Sequence, residues 1–202
     1  MIKTAMFTIK GVAPMLHHNV NMADPLGEAA KAMGPLTKKR NKTDEQLAEI
    51  RRLEWLYGMV TDEEGRPSVR EDQIMGFLVG GAKKWKLGKV FKAAVIPTAG
   101  YFPIKYDGPK DLEKLYETPG FVDYRMAKVG QSRIPRTRPR FNQWETTFTV
   151  HYDDDMLNFS DINDALEYAG TACGVGDFKP RFGRFVVTEA KNDVGTNGKA
   201  KK

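Results

Sequence analysis

Cysteine is almost missing from this chain. Cys173 stands alone among 202 residues, so an internal disulfide framework is excluded and a reducing cytoplasm is the expected setting. Long apolar runs are missing as well. No stretch approaches the roughly 20 residues a membrane helix requires, and no apolar export segment follows the start. A cytoplasmic protein without membrane contact is therefore expected. No internal repeat is found. What is present is ordinary for a globular protein: 41% apolar and 29% charged residues, enough for one domain with a core or one domain carrying an insertion.

Charge is the first departure from the ordinary. The formal net charge is +6, and the cations bunch in Lys38–Lys42, Lys83–Lys92 and Arg133–Arg140, while acids bunch in "TDEEG" and "HYDDD". Segregation of sign predicts a basic face and a polyanionic partner.

The opening residues alternate (Ile2, Ala5, Phe7, Ile9) and read as a first strand ending near Gly11 and Pro14. A loop punctuated by Pro25, Gly27, Gly34 and Pro35 follows. Thr43 and Gln46 form a capping box for a helix whose buried stripe is Leu47, Ile50, Leu53 and Leu56. A second helix starts near Ser68 and buries Ile74, Phe77, Leu78 and Gly81. Its glycines, Gly76, Gly80 and Gly81, predict a close approach to its backbone. The helix exits through basic Lys83–Lys92 into a strand. Residues 100–130 read as short strands and turns. "WETTFTVHYD" is the clearest strand, followed by a helix with Ser160 as N-cap, one apolar face (Ile162, Ala165, Leu166, Ala169) and Gly170 as its stop. "RFVVTEA" is a last strand, and 191–202 reads as a disordered basic tail.

Between that last helix and strand lies "ACGVGDFKPRFGRFVV", with three glycines, three cations and three phenylalanines. In dinucleotide folds the glycines follow a strand and open a helix, and a Walker loop needs Gly-Lys followed by Ser or Thr. Here a helix precedes and a strand follows, so neither nucleotide reading fits. Two readings remain. The loop's amides and cations hold a phosphodiester, with Phe178, Phe182 or Phe185 stacking on bases. Otherwise it is a tight turn with its aromatics in the core and its arginines on nearby acids.

The helix, the "GVGDFKPRFGRF" loop and the terminal strand resemble the C-terminal glycine-rich loop of the RAMP superfamily, the RRM-like RNA-binding subunits of CRISPR effector complexes. The first strand leading into "GVAPMLHHN" is similar to the start of the backbone subunits that polymerise along guide RNA. Six residues separate Gly176 from Gly183, one more than the family spacing, and Phe185 replaces a final glycine. The layout resembles phage-encoded relatives. By position the resemblance implies that Gly174, Gly176, Lys179, Arg181 and Gly183, with Arg184 beside them, approach a nucleic acid backbone. It also implies an α+β fold: an RRM-like (ferredoxin-like) antiparallel sheet with helices on one face, spanning 1–190, with residues 21–95 as a helix-rich insertion where the family carries a thumb or palm.

Other candidates come from the residues themselves. "RIPRTRPRFNQW" holds Arg133, Arg136, Arg138 and Arg140 on an extended segment, so Arg136, Arg138 and Arg140 line one side, with Phe141 and Trp144 just beyond. Lys83, Lys84 and Lys86 surround Trp85, which reads as core rather than as a stacking platform. Lys38, Lys39 and Arg40 form a further cationic run. His17, His18 and Asp24 are the candidates for cleavage, since the resemblance includes ribonucleases using an N-terminal histidine or loop aspartate, but no paired acid or second base accompanies them. No catalytic residue, metal or cofactor is expected. The functional expectation is a non-catalytic protein that binds single-stranded DNA or RNA and oligomerises along it as a filament or ring. The alternatives are a RAMP-type nuclease and an assembly protein whose basic loops meet acidic loops of its neighbour.

Overall fold

The computed structural model describes residues 1–192; most of the segment read as a basic tail, 193–202, lies outside them. The first strand, β1, is Ile2–Gly11. A two-residue β2, Met15–Leu16, and helices α1, Glu28–Thr37, and α2, Asp44–Gly58, follow. Next come β3, Ser68–Arg70, and α3, Glu71–Ala82, then α4, Gly88–Ala94, β4, Val95–Pro97, and β5, Tyr101–Lys105. Helix α5 is Leu112–Glu117, and β6, Val122–Val129, turns back into β7, Ser132–Phe141. The chain closes with β8, Glu145–Asp153, α6, Phe159–Ala172, and β9, Phe185–Asn192.

Strand pairing gives the topology directly. The main sheet runs β3-β5-β8-β1-β9, with β4 also on β8, and all its pairs are antiparallel. Strands β4 and β5 follow one another along the same edge of β8. The order strand, helix, strand, strand, helix, strand (β1, α3, β4/β5, β8, α6, β9) is therefore that of a ferredoxin-like, RRM-like sheet, as expected. Helices α3 and α6 cover one face, where Phe7, Phe77, Phe148 and Phe185 interlock with ring centroids 5.2–5.8 Å apart. Alternation drives this. Phe148, Val150 and Tyr152 of β8 point inward, and its odd-numbered residues point away.

The register pairs Thr4 with His151 and Thr8 with Thr147 on the opposite, open face. An RRM stacks bases on aromatics there. Here β1, β8 and β9 put no Phe, Tyr or Trp on that face among the described residues, and His151 is bonded through Nδ1 to Thr4.

Two segments leave the sheet. One carries α1 and α2; the other carries α5 and the β6–β7 hairpin, which pairs with β2 in a second sheet. Within 21–95, then, α1 and α2 stand off the main sheet, while α3 packs beside α6 on it. Gly81 explains that packing: a Cβ there would lie 2.0 Å from the Ala165 carbonyl oxygen. Gly80 meets the Cys173 thiol, whereas Gly76 meets nothing.

Local readings differ from the structure where tertiary contacts outweigh periodicity. Helix α2 has the expected Thr43–Gln46 box, but its buried face is Glu54, Trp55 and Gly58, and Leu47 is exposed. The reason is its neighbour: Trp55 Nε1 donates to the Phe121 carbonyl, and Glu54 accepts from β7. Helix α6 starts at an Asn158 cap, not Ser160, and runs through Gly170, which is glycine because β9 passes over it. Helices α1 and α5 occupy stretches read as loop or strand. Ser68 lies in β3, with its helix starting at Glu71. Lys191 and Asn192 pair with β1 and belong to β9, not to a tail.

Candidate nucleic-acid interface

The glycine loop turns out to approach backbone, but the backbone is its own. A Cβ at Gly183 would sit 1.7 Å from the Val175 carbonyl oxygen, and one at Gly176 would sit 2.4 Å from that of Leu16. Both have positive φ, +71° and +81°, which an L side chain disfavours. Gly183 N–H donates to Pro14 and Asp177 N–H to Leu16. The loop is thus tied to the crossing between β1 and β2. Gly174 and Gly183 are buried, which removes them from a contact surface.

The same loop meets the arginine strand. Residues 136, 138 and 140 share a side, as the two-residue period requires, and each has a partner within the chain. Arg136 reaches Glu54 at 2.6 Å, Arg138 reaches Asp177 at 2.6 Å, and Arg140 reaches Asn142 at 2.8 Å. Arg138 is 7% exposed and its guanidinium lies 4.8 Å from the Phe178 ring. Arg125 on β6 pairs with Asp123 and covers Phe182 at 4.4 Å. Phe178 itself holds φ +55°, a left-handed strain that non-glycine residues adopt where packing enforces it. Arg138 and Arg125 therefore build the contact between loop and hairpin, Arg136 ties the hairpin to buried Glu54 of α2, and Arg140 is held by exposed Asn142. Arg133, at the exposed turn of the hairpin, stands apart from these pairs.

Aromatic candidates fail for a related reason. Phe141 and Trp144 are 0% and 2% exposed, with Trp144 Nε1 donating to the Ala13 carbonyl. Phe182 and Phe185 are buried too. None of the four offers a ring face to a base.

What stays available is a set of cations. Lys179, Arg181 and Arg184 of the loop are exposed and make no ion pair among the described residues. So are Lys83, Lys84, Lys86, Lys89 and Lys92 at the exit of α3. Lys83, Lys86, Lys89 and Lys92 line a concavity of about 260 Å³ with Val79 and Gly88. Cys173, at the end of α6 and ahead of the loop, meets Gly80 of α3. Burial pushes its thiol upward, while the charges of Lys179 and Lys83 both reach it and pull it down. Lys38, Lys39 and Arg40 are exposed between α1 and α2, on the helical segment away from the sheet.

The cleavage candidates are scattered. His17 is 1% exposed, its Nδ1 accepts from Val60 N–H, and burial lowers its pKa to about 3. His18 is exposed beside Arg138 and Asp177, and desolvation lowers its pKa. Asp24 Oδ1 accepts from Leu26 N–H. Asp153, Asp154 and Asp155 converge, with Lys3 Nζ 3.0 Å from Asp154 and the Met1 amine alongside. Two cations thus offset most of the charge of these three acids.

Lys89 and Lys92 were legible as part of the basic run. Trp85 is exposed, contrary to its reading as core, and Tyr168 was missed; an aromatic off the apolar stripe of α6 was the available signal.

No family model matches the chain, and no curated protein matches it. Among solved structures it is similar to a chain in the cryo-electron microscopy structure of the type III-B Cmr-beta complex bound to cognate target RNA, with 11% identity and a TM-score of 0.49. The similarity covers 95% of this chain and 61% of that one.

Proposed function

We propose that this protein binds single-stranded nucleic acid without cleaving it, through the lysines at the exit of α3 and the loop cations Lys179, Arg181 and Arg184. The observation that carries the reading is that the loop cations and the lysines lining the concavity at the exit of α3 are exposed and make no ion pair among the described residues, while Arg136 and Arg138 are held by acids. Unpaired cations side by side repel one another, and counterions displaced by phosphates relieve that repulsion. The cations are spread over a loop, a 3-10 turn and the seven-residue α4, which holds Lys89 and Lys92, rather than along one long helix face free to enter a major groove, which favours a flexible strand. The cleavage candidates support a binder rather than a nuclease: His17 is neutral and buried, and Asp24 lies on another element.

Assembly of identical chains along the strand belongs to the same reading. Its rival, an assembly protein, has support of its own in Tyr124 and Met126, 50% and 54% exposed on the β6–β7 hairpin. Fluorescence anisotropy of labelled single-stranded DNA, single-stranded RNA and duplex DNA at two salt concentrations separates the two. Salt-sensitive binding that prefers single strands and leaves them intact is expected. Oligomers that form without nucleic acid, together with no binding at low salt, would put the assembly reading in its place.

A further inference from the structure

We infer that Trp85 and Tyr168 form a stacking platform for an unpaired nucleobase, with Lys84 standing in for that base in the free protein. The inference rests on the proposed binding of single strands and names a base contact that the buried phenylalanines and Trp144 do not provide.

Trp85 is 43% exposed and Tyr168 37% exposed. The other two tryptophans, Trp55 and Trp144, are 0% and 2% exposed and donate their indole N–H groups to backbone carbonyls. Trp85 and Tyr168 stand edge to face, centroids 5.9 Å apart with 75° between planes. The Lys84 ammonium lies over both rings, 4.8 Å from Trp85 and 4.4 Å from Tyr168. A cation over two exposed rings is a weak contact in water. A base offers a larger planar partner and releases Lys84 to a phosphate.

The platform is held in place. Trp85 ends the 3-10 turn Lys83–Trp85, and Lys86 follows with φ +64°, a left-handed conformation that a lysine adopts against its preference. Trp85 also lines a small cavity with Ala82, Leu87, Phe91, Asp161 and Asp164. Lys83 and Lys86, which flank the Lys84–Trp85 pair in the chain, line the lysine concavity. A strand whose phosphates rest on these lysines would bring a base to the rings.

The experiment titrates the full chain with oligodeoxythymidylate, oligouridylate and an abasic strand of equal phosphate number, following tryptophan emission and the anisotropy of labelled strands. Quenching by the two base-bearing strands and not by the abasic one is expected, and the Trp85→Phe variant should lose the quenching while still binding. Trp85→Ala combined with Tyr168→Ala should weaken base-bearing strands roughly fivefold to a hundredfold and leave abasic binding and the salt slope unchanged. The buried Trp55 and Trp144 report in the same samples that the variants remain folded. Equal affinity of the double variant and the wild type for base-bearing strands overturns the platform while leaving the phosphate contacts intact. Failure of the wild type to bind any strand at low salt overturns the binding reading and the platform together. The ratio of the thymidylate and uridylate affinities tells which strand supplies the base.

Discussion

Two basic runs that look alike in sequence meet opposite fates in the fold. "RIPRTRPR", with Phe141 directly after it, and "KKWKLGK", around Trp85, each set closely spaced cations beside an aromatic residue. The first becomes a strand whose Arg136 and Arg138 are spent on Glu54 and Asp177, with Arg140 on exposed Asn142. The second becomes a helix exit whose lysines find no acid among the described residues and whose tryptophan faces solvent. The chemistry of the side chain goes with this division. Guanidinium is planar, forks onto carboxylates and tolerates desolvation, while ammonium is compact and strongly hydrated. Arginine runs can be structural glue where lysine runs cannot.

Substitutions that treat the two regions alike should therefore give unlike results. The largest effect is expected at Gly183, which clamps the loop onto the β1–β2 crossing beside the arginines. Gly183→Ala places a Cβ 1.7 Å from a carbonyl oxygen at φ +71° and should cost more than about 4 kcal/mol, read as a large loss of urea midpoint. A stable Gly183→Ala protein would mean that the loop is not held as described. Next is Asp177→Ala. It leaves the Arg138 guanidinium buried without its carboxylate and should cost about 3 kcal/mol, checked by thermal unfolding. An unchanged melting temperature would make the arginine strand as free as the lysine segment and erase the contrast.

Acid should act on the arginine side through His17, whose ring rests against Phe141 of β7. Its folded pKa, about 3, lies below the unfolded value near 6.5, so the unfolded chain binds the extra proton as pH falls. Stability from this group is complete above pH 6.5 and is lost toward pH 3, at up to about 1.4 kcal/mol per pH unit. A His17→Asn variant, which can still accept from Val60 N–H, should lose that part of the slope in urea titrations at several pH values. The smallest effect on stability is expected from the lysines. Lys83→Ala, Lys86→Ala, Lys89→Ala and Lys92→Ala together should change stability little beyond the roughly 0.5 kcal/mol typical of each surface site. They should also flatten the salt dependence of strand binding by roughly 0.7 in slope for each phosphate contact removed. Unchanged salt dependence would move the site off this surface.

Legibility followed the range of the interaction. Local signals were readable: the Thr43–Gln46 box, the alternation of β8, the apolar face of α6, and the extended character forced by two prolines in β7. Long-range partners were not. Nothing near Glu54 in the chain announces that it meets Arg136, 82 residues away, yet that contact turns the expected leucine stripe of α2 aside. Gly170 reads as a helix stop because glycine commonly ends helices; here it is needed because Phe185 crosses it. Trp85 reads as core because large aromatics usually are, and its exposure follows from the left-handed turn at Lys86.

By itself the sequence determined the elements whose causes are local, the segregation of charge, and the exclusion of disulfide and nucleotide-loop designs. Periodicity, capping and composition act within a few residues of where they are written. Only the tertiary structure decided which cations are neutralised and which are left to a partner, and which glycines serve the fold. Those outcomes depend on carboxylates and carbonyls brought together from distant positions, where burial makes an unpaired charge costly and an extra methyl group impossible to place.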